Sequence, residues 1–119
     1  MNDPMNPVAI ETAIREVSTR IAKGVKVCDE TYRAYLEADH CLDVAFAQAF
    51  LDHRGPQYER KYAAELATQE HRHARDVADA AYRYADRTAK ALEAELRALQ
   101  SVGASVRAMF GVAGTEAGA

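Results

Sequence analysis

The chain has 119 residues, 49% of them hydrophobic, no tryptophan and a formal net charge of −3. That length holds one domain with a modest core. The acidic balance excludes binding of nucleic acid through bulk positive charge, and no apolar run approaches the roughly 18 residues that a membrane helix needs. The opening MNDPMNPVAI has neither the basic region nor the apolar stretch of a signal peptide, so the expected location is the cytoplasm.

Proline occurs only at Pro4, Pro7 and Pro56, so two long proline-free spans remain. They predict an all-α protein, an antiparallel hairpin of helices over residues 7–51 and 57–110 that oligomerises through its C-terminal helix. Residues 1–6 are expected to be a frayed lead and residues 111–119, GVAGTEAGA, a flexible tail. Asn6 before Pro7 is a helix start, a capping side chain followed by proline at the first helical position. Ile10, Ile14, Val17 and Ile21 then recur with spacings of four and three. Gly24 weakens that pattern and marks a place for a bend. Beyond it, Val25, Cys28, Tyr32, Tyr35, Leu36, Leu42, Ala45, Phe46, Ala49 and Phe50 keep a helical period. Cys28 and Cys41, thirteen residues apart on this helix, stand about 20 Å apart, too far for an intrachain disulfide. They read as reduced thiols of a cytosolic protein, with an intermolecular disulfide left open.

Asp52-His53-Arg54-Gly55-Pro56 is the clearest break. After it, Tyr58, Tyr62, Leu66, Gln69, His73, Val77, Ala80 and Tyr84 follow a spacing closer to eleven residues than to seven, which predicts a straight apolar stripe. Ala81, Ala85 and Ala89 hand it over to a heptad-like seam of Leu92, Leu96, Leu99, Gly103, Val106 and Phe110. A two-helix hairpin has little interior, so this seam is the expected self-association surface.

Catalytic signatures are missing. Ser18, Ser101 and Ser105 sit in no nucleophile motif, no Gly-rich phosphate loop occurs, and the Glu-x-x-His pairs of a di-metal bundle are lacking. His71 and His73 are two apart, which sends them to different sides of a helix. The expectation is a protein without enzymatic activity, cofactor or metal. Asp76, Asp79, Arg83, Asp86 and Lys90 read as a solvated, salt-bridged face.

Charge is unevenly placed: residues 1–52 hold five Lys/Arg against nine Asp/Glu, residues 53–119 ten against nine. Arg54, Arg60, Lys61, Arg72 and Arg75 fall toward one end of the hairpin, with Tyr58 and Tyr62 among them. Cations beside aromatic rings suit a single strand, tracking its backbone and stacking its bases. On one subunit Glu59, Glu65, Glu70 and Asp76 neutralise these charges; a ring would repeat the patch and add avidity.

The C-terminal seam resembles the small phage recombination mediators of the UvsY type, known best from T-even phages. Their ending reads approximately Leu-x-Ala-apolar-x-Ser-x-Gly-x-small-apolar-basic-x-apolar, and Leu96, Ala98, Leu99, Ser101, Gly103, Ser105, Val106, Arg107 and Met109 fit it in order. Tyr35-Leu36 resembles the family's aromatic–leucine pair; Ala45, Ala49, Leu51, Asp52 and Gly55 resemble its alanine-rich helix ending in a glycine turn. The resemblance implies a helical ring assembled through C-terminal helices. It also implies partnership with single-stranded DNA, a RecA-like recombinase and single-strand-binding protein. Where the family carries basic residues before the turn, this chain has Phe46, Ala47, Gln48 and Ala49. The DNA contacts are therefore not carried over there, and Arg54, Arg60 and Lys61 stand as substitutes. The competing reading is a helical homo-oligomeric scaffold or interaction protein with no nucleic-acid role.

Overall fold

The computed structural model describes residues 6–118, with side-chain surroundings given through residue 111; residues 1–5 of the expected lead lie outside the described residues. Helix α1 runs Pro7–Asp52, a short 3-10 helix covers Gln57–Glu59, α2 is Arg60–Ala67 and α3 is Gln69–Gly118. Among the described residues there is no strand.

α1 starts where the sequence places it. The Asn6 side-chain oxygen Oδ1 accepts the Val8 N–H at 2.9 Å and the Ala9 N–H at 3.4 Å, so two of the donors that every helix start leaves open are satisfied. α1 then continues through Gly24 without interruption.

The second helical span is not continuous. Thr68, with φ −112° and ψ 19°, separates α2 from α3. Its hydroxyl donates to the Ala64 carbonyl at 2.7 Å and its own N–H donates to the same oxygen at 3.1 Å. This back-bond to the preceding turn is a known cause of helix bending, and Thr68 is almost wholly buried. Neither glycine nor proline marks the break. At the other end, α3 runs through Gly111 to Gly118 where the sequence predicts a flexible tail. Gly103 and Gly111 are helical, and no described glycine takes a positive φ.

Burial follows one strict repeat of seven. On α1, Ile10, Ile14, Val17, Ile21, Gly24, Cys28, Thr31, Tyr35, Ala38, Leu42, Ala45 and Ala49 alternate spacings of four and three, and each is buried or half-buried. On α3 the corresponding set is Arg75, Ala78, Tyr82, Ala85, Ala89, Leu92, Leu96, Leu99, Gly103 and Val106. The expected eleven-residue stripe is on the wrong face. Tyr58, Tyr62, Leu66, Val77 and Tyr84 are each more than half exposed, and Gln69, His73 and Ala80 are exposed with them. Apart from Tyr82, the buried and half-buried seam positions between 75 and 89 are small or charged, whereas Val77 and Tyr84 point to solvent.

The chain divides into two compact units. One comprises residues up to Val25 together with those from Arg87 onward. Its described core is Ile10, Val17, Leu92 and Val106, the last only 1% exposed. Gly103 belongs to this packing. A Cβ added there would stand 3.3 Å from Ile10 Cγ2 and 3.9 Å from Ile14 Cδ1, so even one added methyl would be tight against Ile10.

The other unit is Lys26–Asp86. Its helices run antiparallel, since Tyr32 meets Tyr82 with ring centroids 5.1 Å apart and Asp39 meets Arg75 at 3.4 Å. Leu42, Ala64, Thr68 and Ala85 are its buried residues. The polar contacts at its turn end position the candidate site.

Candidate nucleic-acid interface

The site is built on the turn from α1 into α2. Gln48 Nε2 donates to Asp52 Oδ1 at 2.9 Å across the last turn of α1. Pro56 then takes an extended conformation (φ −53°, ψ 147°), and its carbonyl accepts the Glu59 N–H at 3.0 Å to open the 3-10 helix. Over this turn His53 Nε2 and Glu59 Oε2 pair at 3.2 Å. Gly55 lies directly beneath them: an added Cβ would strike the His53 ring and the Glu59 carboxylate. Its role is therefore room for this pair, since no left-handed backbone is needed.

The seven residues expected to contact nucleic acid divide into two groups. Arg54 and Lys61 are exposed, and neither forms an ion pair with a described carboxylate. Tyr58 and Tyr62 are 76% and 64% exposed, unusual for rings with this much apolar surface. Arg60 is half-buried, with its Nε enclosed and without a hydrogen-bond partner.

Arg72 and Arg75 are committed elsewhere. Arg72 Nη1 donates to the Glu65 carbonyl at 3.4 Å, which ties α3 back to α2 across the Thr68 break. Arg75 donates from Nε to Asp76 at 3.0 Å and from Nη1 to Asp39 at 3.4 Å. The hydrogen bond to Asp76 is the main reason its guanidinium is held above the ordinary arginine range, with Asp39 adding to the effect. Both arginines are half-buried and hold these partners. What remains open is Arg54, Tyr58, Lys61 and Tyr62. Glu59, expected to neutralise them, also lies 3.2 Å from His53 Nε2. That pairing was not anticipated; the signal for it is a histidine and a glutamate six apart across a Gly-Pro turn.

Most residues of the expected self-association seam are buried or half-buried within one unit. Leu92, Gly103 and Val106 are buried and Leu96 and Leu99 half-buried, in the unit that α3 forms with residues 7–25. The Gly103 backbone lies against the chain's own Ile10 and Ile14. Phe110 alone of the six stays mostly exposed, at 59%.

Elsewhere on the Lys26–Asp86 unit, His40, Cys41, Val44, Ala45, Gln48 and His71 line an open cleft of about 440 Å³. The Cys41 thiol donates to Glu37 Oε1 at 3.5 Å. That bond first, then burial and the carboxylate's charge, raises the thiol above its usual range. Cys41 should therefore be alkylated slowly at pH 8, and Glu37→Gln should speed its reaction with iodoacetamide several-fold by favouring the thiolate. Peptide mass spectrometry over time reads this directly, and an unchanged rate in Glu37→Gln would refute the assignment. No group of three His, Cys, Asp or Glu side chains suited to a metal occurs among the described residues, and no described helix is long and apolar enough to cross a membrane.

Compared with known proteins, the chain matches no family model, no curated protein and no solved structure.

Proposed function

We propose that this protein is a non-enzymatic accessory factor that binds single-stranded DNA through the α1–α2 turn and assists a RecA-like recombinase, in the manner of the mediators its seam resembles. The observation that carries the reading is the turn itself. Two unpaired cations, Arg54 and Lys61, stand beside two tyrosines whose rings are left to solvent. Single strands are held by this combination, cations for phosphates and flat rings for unstacked bases. The recombinase and single-strand-binding partners rest on the resemblance alone.

The test is a salt series with a labelled single strand. Affinity should fall steeply with added salt, because each phosphate contact releases counterions. Arg54→Ala with Lys61→Ala should lower the slope of log K against log salt by about 1.4, two contacts at about 0.7 each for single strands. Tyr58→Ala with Tyr62→Ala should weaken binding and leave that slope in place. Wild-type protein that fails to retard the strand at low salt sinks the reading.

A second reading is favoured by a separate observation. Leu66, Val77 and Tyr84 on one unit, and Met109 and Phe110 on the other, are each more than half exposed. Apolar side chains in that state suit a helical interaction protein that assembles through its outer surface. Sedimentation of an assembly that shows no strand binding at low salt would select this reading.

A further inference from the structure

We infer that strand binding at this turn is proton-linked, with His53 taking up a proton when a strand binds and cancelling the charge of Glu59. The inference rests on the nucleic-acid reading above and concerns how that same site is controlled.

The argument starts from the charges of the turn. Its cations are Arg54 between the helices and Arg60 and Lys61 at the start of α2. Its anions are Asp52 at the end of α1, already accepting from Gln48, and Glu59 on the 3-10 helix. With neutral His53 these two carboxylates offset two of the three cations. With protonated His53, Glu59 is cancelled and the turn gains one positive charge beside Arg54. The geometry makes this coupling local. His53 is half-buried, its Nε2 is 3.2 Å from Glu59 Oε2, and Gly55 leaves no side chain to separate them. Tyr58 and Arg60 flank Glu59 in the chain, so its charge sits inside the surface a strand would cover.

Linkage then fixes the sign. A phosphate near the turn favours the protonated imidazole, so the protein–strand complex binds more protons than the free protein. Affinity must rise as pH falls through the range in which histidines titrate, about pH 8 to 6. One linked proton allows at most a tenfold change per pH unit, and partial linkage gives about three- to tenfold across that range.

The experiment is the binding of a labelled oligodeoxythymidylate, followed by anisotropy at fixed low salt from about pH 6 to 8. Calorimetry in two buffers of different ionisation enthalpy accompanies it. Wild type should bind about three- to tenfold more weakly at the upper end and take up protons on binding. His53→Gln should lose that His53-linked portion. Glu59→Gln should bind near pH 8 about as tightly as wild type does near pH 6. Any pH dependence shared by wild type and His53→Gln belongs to His40, His71 and His73 and subtracts out. A strand that binds with the same pH profile in wild type and His53→Gln overturns the inference and leaves the nucleic-acid reading standing. A wild-type protein that binds no strand at any pH overturns both.

Discussion

Val106→Asp is expected to cost about 4 kcal/mol, a large part of the stability of a domain of this size. Val106 is 1% exposed, and the seam around it contains Ile10, Val17, Leu92 and the close approach at Gly103. Burial of a charge in a packed apolar seam is among the few single changes that reach this magnitude. Val106→Ala, which removes only methyl groups, should cost about 2 kcal/mol. Thermal melts followed by circular dichroism rank the two. Hydrogen exchange adds a spatial test: in Val106→Asp, residues 7–25 and 87–111 should lose protection while Lys26–Asp86 keeps its own. Uniform loss across both segments would show a single cooperative unit and defeat the division. A wild-type melting temperature in Val106→Asp would defeat the seam itself.

Gly103→Leu should destabilise by about 2 kcal/mol, because the added side chain must displace Ile10 from a packed position. The informative control is Gly24→Ala. A Cβ at Gly24 would have nothing within 4 Å, so the helix gains its preferred residue with no packing cost. That change should stabilise by about 0.5 to 1 kcal/mol and raise the melting temperature by about 4 °C. Two glycines on one seam thus predict opposite signs. If both changes raise the melting temperature, the close approach at Gly103 is wrong.

Much of the fold was legible in residue order because it depends on local chemistry. The Asn6-Pro7 start, the Gly55-Pro56 break and the run of Leu92, Leu96, Leu99, Gly103 and Val106 each carry their cause in adjacent residues. The stretch from Tyr58 to Tyr84 was misread for a physical reason. Large apolar residues announce a buried face, yet here the buried face is Ala64, Thr68, Ala78 and Ala85 with Arg75 tied to Asp39. Small side chains permit close packing and give a weak periodic signal, so the tyrosines and Leu66 dominated it. The Thr68 break was illegible because the same hydroxyl back-bond occurs at Thr12, Thr19 and Thr31 inside the uninterrupted α1, so threonine alone does not mark a break.

Of the candidate site, Arg54, Tyr58, Lys61 and Tyr62 were readable as a cluster from their positions. That Arg72 and Arg75 face inward was not readable, since it depends on helix phase after Thr68. The seam of Leu92 to Val106 was legible as a buried helix face, and the chain's own N-terminal residues belong to the same unit. Residues 7–21 carry the same four-three spacing, and an intrachain partner is present at far higher effective concentration than a second molecule.

The seven-residue repeat also sets which length changes the chain could tolerate. Inserting seven residues into α1 between Cys28 and Leu42, and seven into α3 between Arg75 and Ala85, would return every later seam position to its own face. Inserting two would rotate all that follows by about a half-turn and present charged positions to the partner helix. Relatives of this chain should therefore differ in length by matched multiples of seven on the two arms, with the Gly55 turn as the fixed point from which both arms are counted.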